Sequence, residues 1–232
     1  MDKLIAIILA AGQGKRMKSR LSKQFIHLQG MPVIVHTLRV FQAAVEIDEC
    51  ILVCGSGEEG FYGPEMLHNF GVTKRVQVIP GGQERQDSVY CGLSKIYNDC
   101  SYVIIHDGAR PLVTVDIISQ VVAAVKMTGA VTVGVPVKDT IKRADAEGFI
   151  TDTLSRERLW HIQTPQAFRR ELIANAHDQA RKEGFCGTDD ASLVERLGST
   201  VKIIPGSYDN LKITTPEDII VAETILKGRE TV

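Results

Sequence analysis

The residues with the most chemistry in them come early. The apolar run Leu4–Leu9 opens into Ala10-Ala11-Gly12-Gln13-Gly14-Lys15-Arg16-Met17, and Lys23 follows within the same short excursion. Glycines admit backbone N–H groups close to an oxyanion, and amides converging after a strand form an anion-binding concavity. Arg16 and Lys23 add full positive charges beside it. The spacing excludes two common phosphate loops. A Walker loop needs Gly, four residues, then Gly-Lys-Ser/Thr, but Gly14-Lys15 is followed by Arg16, without the magnesium-binding hydroxyl. A dinucleotide fingerprint needs a third glycine where Met17 stands and an acidic residue ending the second strand, where Cys54 and Gly55 stand. A phosphate cradle of another kind remains, beside the alternative of a plain turn with solvated basic residues.

Three further segments carry candidate chemistry. Gly81-Gly82-Gln83-Glu84-Arg85-Gln86-Asp87-Ser88 follows an apolar run and opens a helix with Val89, Leu93 and Ile96 on one face. Paired glycines at a helix N-terminus suit an anion or the edge of a base, and Asp87 or Ser88 capping the helix is the plainer reading. His106-Asp107-Gly108-Ala109-Arg110-Pro111 puts a carboxylate and a guanidinium three residues apart. Asp107 could hold Mg²⁺ or a sugar hydroxyl and Arg110 a phosphate, or the two could satisfy each other. His106 reads as a packed histidine rather than a base. Lys138-Asp139-Thr140-Ile141-Lys142-Arg143 and Leu154-Ser155-Arg156-Glu157-Arg158 concentrate cations, and Asn210-Leu211-Lys212-Ile213-Thr214 supplies one more lysine.

Something must hold these segments together, and the hydrophobic pattern says what. Leu4–Leu9, Cys50–Val53, Val76–Ile79, Tyr102–Ile105, Ala130–Val135 and Val201–Ile204 read as buried strands. Residues 116–128 and 171–182 repeat apolar side chains at helical spacing. Thr215-Pro216-Glu217-Asp218 starts a last helix, Glu217–Lys227. Continuous apolar strands alternating with helices predict an α/β fold, a Rossmann-like, mostly parallel twisted sheet covered on both faces, in one domain spanning 1–232. Ligands in such sheets sit at the carboxyl ends of the strands, where Ala10–Lys23, Gly81–Ser88, His106–Pro111 and Pro136–Arg143 fall. From Val137 to Gln163 the alternation breaks. Asp139–Ala144 and Phe149–Leu154 flank Asp145-Ala146-Glu147-Gly148 as a protruding β-hairpin arm without a core of its own, which must lean on something else.

Composition sets the remaining bounds. In 232 residues, 44% apolar and 24% charged, a net charge of −1 argues against a nucleic-acid partner. Five cysteines without a C-x-x-C pair read as buried free thiols of a reducing, cytoplasmic protein. The first apolar run is too short for a membrane span and lacks the flanks of a signal peptide.

In chain order, Leu9-Ala-Ala-Gly-x-Gly-x-Arg-Met17 with Lys23-Gln24, Gly81-Gly-x-Glu-Arg-x-Asp-Ser88, His106-Asp-Gly-Ala-Arg-Pro111, Asp139-Thr-Ile-Lys142, Gln163-Thr-Pro-Gln166, Thr188-Asp-Asp190 and Asn210-Leu-Lys-Ile-Thr214 closely resemble the 2-C-methyl-D-erythritol 4-phosphate cytidylyltransferase family, nearly end to end. The resemblance implies transfer of CMP from CTP to methylerythritol phosphate in non-mevalonate isoprenoid synthesis, with release of pyrophosphate and with Mg²⁺ beside the triphosphate. By position, Arg16 and Lys23 are implied to stabilise the transition state. Ala10, Ala11, Gly12, Gly14, Gly82 and Ser88 would contact the nucleotide, and Asp107 would lie near ribose, metal and substrate. Lys212, Thr164 and Arg110 would hold methylerythritol phosphate. The arm would cross to a partner in a homodimer, placing Thr140 and Arg156 in the other subunit's site. A sister family acting on ribitol 5-phosphate usually shows Ala-Gly-Gly and His-Asp-Ala-Val-Arg where this chain has Ala10-Ala11-Gly12 and His106-Asp107-Gly108-Ala109-Arg110. A nucleotide-sensing module without catalysis would be expected to lack Arg16 or Lys23, and both are present.

Overall fold

In β1 (Lys3–Leu9), alternate side chains enter two different cores: Leu4, Ala6 and Ile8 pack to one side of the sheet, Ile5, Ile7 and Leu9 to the other. A strand apolar on both faces is stable only where both faces are covered, which makes it an interior strand of a layered α/β sheet. The computed structural model describes residues 2–12, 26–97 and 99–230. Arg16, Lys23 and Gly14 lie outside them.

Six further strands complete the main sheet: β4 (Glu49–Cys54), β5 (Val76–Pro80), β6 (Cys100–Asp107), β7 (Ala130–Pro136), β10 (Trp160–Arg169) and β11 (Lys202–Pro205), in the order β11-β7-β10-β6-β1-β4-β5. All neighbours are parallel except β10, which runs antiparallel to both β6 and β7. All six predicted strands are present. The reading of 137–163 as hairpin throughout needs correction, because Trp160–Gln163 is the start of β10 and belongs to the main sheet.

The first face is covered by α1 (Val33–Ala43) and α4 (Val115–Thr128), through Ile34, Val35, Leu38 and Phe41 and through Ile117, Ile118, Val121, Val122 and Val125. The second is covered by α3 (Arg85–Leu93), α5 (Arg170–Lys182) and α6 (Asp190–Arg196). Each fully buried Leu, Ile or Val side chain contributes about 1.5–3 kcal/mol. α4 begins at Thr114, whose hydroxyl accepts the Ile117 N–H, and ends at Gly129, which adopts φ +81°. A short α2 (Pro64–Asn69) follows β4, and β2 (His27–Leu28) pairs with β3 (Met31–Pro32) ahead of α1. α7 (Pro216–Glu230) packs Ala222 beside Leu28, Val33, Leu112 and Ile213.

The arm forms as expected. β8 (Ile141–Ala144) and β9 (Ile150–Leu154) pair only with each other, and Phe149 and Ile150 at its end are 68% and 64% exposed. Its root is tied to the body: Tyr208 Oη donates to Pro136 O (2.7 Å), and Lys138 Nζ lies 3.4 Å from the Tyr208 ring centroid.

Among the described residues no helix is long and apolar enough to cross a membrane. Cys50, Cys54 and Cys100 are buried free thiols, with Cys50 pushed up to about 12 by burial. Two cysteines depart from the expected burial: Cys91 is half-buried and Cys186 lies exposed.

Candidate active site

Strand order brings three of the candidate loops side by side. β1 lies between β6 and β4, with β5 beyond, so the chain leaves β1, β5 and β6 on one sheet edge. The connections diverge on either side of β1, and such a switch point is where open α/β sheets bind ligands. Backbone bonds zip the loops together: Ala10 N donates to Val53 O (2.7 Å), Gly81 N to Cys54 O (2.8 Å) and Gly108 N to Leu9 O (2.8 Å).

Of the first loop, Ala10 is buried with its N–H committed to this ladder, Ala11 is half-buried and Gly12 is exposed. Gly81 sets its distance from the second loop. A Cβ at Gly81 would lie 2.7 Å from both Ala11 Cβ and Ser88 Oγ, so only glycine lets the two loops close on each other. Gly82 N donates to Ser88 Oγ (3.2 Å), and that hydroxyl donates to Glu84 O (3.1 Å). Asp87 accepts the Glu84 N–H (3.2 Å) at the start of α3. In the structure as it stands, Ser88 and Asp87 therefore shape the loop and cap the helix.

Asp107, the last residue of β6, is the electrostatic centre. Its carboxylate meets Lys212 Nζ at 2.8 Å, Arg85 Nε at 3.3 Å and Arg110 Nε at 3.7 Å. Burial alone would raise its pKa, but Lys212, Arg85 and Arg110 outweigh that and hold the carboxyl well below the usual carboxylate range. Arg85 also reaches Asp190, Nη1 to Oδ2 at 2.8 Å. Three cations thus face two carboxylates, leaving an excess positive charge where an anion can be received.

Behind Asp107, the Thr164 hydroxyl accepts the Asp107 N–H (3.0 Å) and lies 3.1 Å from His106 Nδ1. His106 Nε2 is 3.2 Å from Arg110 O, an acceptor. Nε2 must therefore carry the proton, and Nδ1 accepts from Thr164. Burial pushes the ring down to about 4, with the charges of Arg110 and Lys212 adding to it. A neutral imidazole with both nitrogens engaged is no general base, as the sequence reading expected. Thr164 reaches this position because β10 carries two extra residues, Thr164 and Pro165, between its pairings Gln163↔Val133 and Gln166↔Thr132.

Further residues of three of the ordered motifs brace the site. Gln166 is buried, donates to Thr132 Oγ1 (3.0 Å) and Asp189 Oδ2 (2.7 Å), and accepts the N–H groups of Asp190 and Ala191. Buried Asn210 donates to Gln163 Oε1 (3.1 Å) and Thr164 O (2.9 Å), and its own carbonyl accepts from Arg110 Nη1 (2.7 Å). Arg85, Gln166, Asp190 and Asn210 were not picked out by their residue types; their membership in ordered motifs was the available signal.

Thr140 and Arg156 lie at the root of the arm, just before β8 and just after β9. Thr140 is exposed, and Arg156 Nη1 donates to Lys138 O (2.8 Å). For Mg²⁺ the described residues offer no protein cage. No three His, Cys, Asp or Glu side chains converge among them, and the Asp107 carboxylate already faces three cations.

The sheet order and the cationic strand ends define a nucleotidyltransferase-type α/β protein. The family model for 2-C-methyl-D-erythritol 4-phosphate cytidylyltransferase matches residues 4–228, and the chain belongs to that family. It is 49% identical over 230 residues to the protein of that name from Pelotomaculum thermopropionicum, covering 99% of this chain and 97% of the relative. A Bacillus velezensis relative of the same name is 49% identical over 225 residues, covering 97% and 96%. The crystal structure of 4-diphosphocytidyl-2C-methyl-D-erythritol synthase from Anaerococcus prevotii superposes with a TM-score of 0.87 at 32% identity, covering 97% of this chain and 96% of that one.

Proposed function

We propose that the chain transfers the cytidylyl group of CTP to 2-C-methyl-D-erythritol 4-phosphate, giving 4-diphosphocytidyl-2-C-methyl-D-erythritol and pyrophosphate. A phosphate oxygen of the sugar alcohol bonds to the α-phosphorus of CTP as the bond to the β-phosphate oxygen breaks. That oxygen is already ionised near neutral pH, so no group need activate it. The observation that carries this reading is the cationic ring of Lys212, Arg110 and Arg85 at Asp107, beside a neutral His106. The site supplies charge compensation rather than proton transfer, which is what joining two anions requires.

In this reading Lys212 and Arg110 receive the phosphate of methylerythritol phosphate near Thr164, and Ala10, Ala11, Gly12, Gly14, Gly82 and Ser88 line the nucleotide. Arg16 and Lys23 neutralise charge at the α-phosphate. Mg²⁺ would arrive with the triphosphate and offset its charge, with Asp107 the candidate carboxylate to meet it. The arm crosses to a second copy, covers Phe149 and Ile150, and delivers Thr140 and Arg156 to the opposite site. The enzyme works in the cytoplasm.

Pyrophosphate release with CTP and Mg²⁺, measured side by side on methylerythritol phosphate and ribitol 5-phosphate, tests the reading. Preference for the former is expected. Preference for ribitol phosphate would overturn the substrate assignment, and tight CTP binding without release would replace the enzyme by a nucleotide sensor.

A further inference from the structure

Arg85 belongs to the cationic ring at Asp107 but receives no phosphate in the proposed transfer, and a second carboxylate anchors it from behind. Its guanidinium spans two carboxylates, Nε to Asp107 Oδ1 at 3.3 Å and Nη1 to Asp190 Oδ2 at 2.8 Å. Asp190 is 1% exposed, and its second oxygen lies 3.3 Å from Nε2 of His177, itself fully buried on α5. The Asp190 N–H donates to Gln166 Oε1 (3.2 Å), which ties it to β10. A guanidinium is a planar fork, so fixing one arm on a braced carboxylate fixes where the other points. Lys212 is different: it reaches Asp107 from a loop, and its side chain is 35% exposed.

We propose that Arg85, held by Asp190 and His177, is a positioning residue for Asp107. It keeps that carboxylate placed and compensated while Lys212 and Arg110 turn toward incoming phosphates. Asp107 otherwise has Lys212, Arg110 and the backbone bond to Thr164 as its partners. With Arg85 gone, departure of Lys212 to a substrate would leave a poorly compensated buried anion, so Lys212 would stay. The inference rests on reading Lys212 and Arg110 as phosphate ligands.

The test is a double-mutant cycle of wild type, Arg85→Gln, Asp107→Asn and the pair, with kcat and KM measured for both substrates. Arg85→Gln is expected to lower kcat about tenfold or more while KM for CTP stays within about twofold; in the Asp107→Asn background it should change kcat by less than about twofold. Equal losses in both backgrounds would mean a general structural role and overturn the proposal. Because Arg85→Gln strands a buried charge on Asp190, Arg85→Gln/Asp190→Asn serves as a second variant. It should keep the wild-type melting temperature and still lose kcat, and wild-type turnover in it would overturn the proposal. If the wild type released no pyrophosphate, the transfer reading itself would fail. The same cycle read as calorimetric binding of methylerythritol phosphate would then decide the inference, with additivity within about twofold counting against it.

Discussion

The Thr164 hydroxyl sits 3.1 Å from His106 Nδ1 while accepting the Asp107 N–H at 3.0 Å, so one side chain on β10 fixes two consecutive residues at the end of β6. Thr164→Val keeps the shape but removes both bonds, leaving a buried N–H and a buried ring nitrogen unpaired. A loss of about 1–3 kcal/mol in urea unfolding is expected, largely restored in Thr164→Ser. Equal stability of the Val and Ser variants would show that the hydroxyl is not the organiser described here.

The burial of a neutral His106 gives a pH signature. The unfolded imidazole takes up a proton near its ordinary 6.5, whereas the folded ring, pushed down to about 4, does not. Its contribution is therefore complete above pH 6.5 and lost as the pH falls toward 4, by about 3 kcal/mol in all. His36, also pushed down by burial, acts in the same direction, so the measurement is the difference between wild type and His106→Gln. The wild-type unfolding free energy should fall more steeply between pH 6.5 and 4. Parallel curves would contradict the buried neutral ring.

How much of this was readable in the chain depends on the range of the interactions involved. β1, β4, β5, β6, β7 and β11 announce themselves because apolar neighbours in sequence become apolar faces in space, and site loops follow from strand ends. β10 does not, because Gln163, Thr164, Pro165 and Gln166 look like loop residues. They are strand residues only because Asn210, His106, Thr132 and the start of α6 satisfy their polar groups from far along the chain. The same holds for Arg85, whose role rests on Asp107 and Asp190 arriving from two other elements. Motif order registered that these residues matter; only the packing shows that several of them serve each other.

Arg16 and Lys23 carry the transition-state role in the proposed chemistry. Arg16→Ala and Lys23→Ala should each lower kcat by roughly 10²–10³, the usual cost of losing one charge-stabilising contact. Stability should change little. Near-normal turnover by either purified variant would remove it from the centre of the mechanism.

The arm makes the site a shared one if Arg156 acts across a dimer while Lys212 acts at home. Arg156→Ala and Lys212→Ala should each be nearly inactive alone. Unfolded together and refolded as an equal mixture, they should recover about a quarter of wild-type turnover, because half of randomly paired dimers are mixed and each mixed dimer holds one complete site. No recovery, or a monomer by sedimentation at assay concentration, would mean that one chain supplies both residues of a site or that the arm takes no part in it.

Gly81 tests whether contact between the first two loops matters for the nucleotide. A methyl group there meets Ala11 Cβ and Ser88 Oγ at 2.7 Å and Val53 Cγ1 at 3.1 Å. Val53 belongs to a packed strand and cannot give way, so the strain must be relieved by moving the Ala10–Gly12 segment or the start of α3. Gly81→Ala should therefore cost about 1–3 kcal/mol of stability, as overpacking does. Because the displaced loops are those proposed to hold CTP, KM for CTP should rise about tenfold, equivalent to about 1.4 kcal/mol of lost binding, while KM for methylerythritol phosphate moves less. Gly60→Ala is the control: nothing lies within 4 Å of its added carbon, and stability should stay within about 0.5 kcal/mol of wild type. A stable, folded Gly81→Ala enzyme with unchanged KM for CTP would separate the loop contact from nucleotide binding and return Gly81 to a purely local role in the turn.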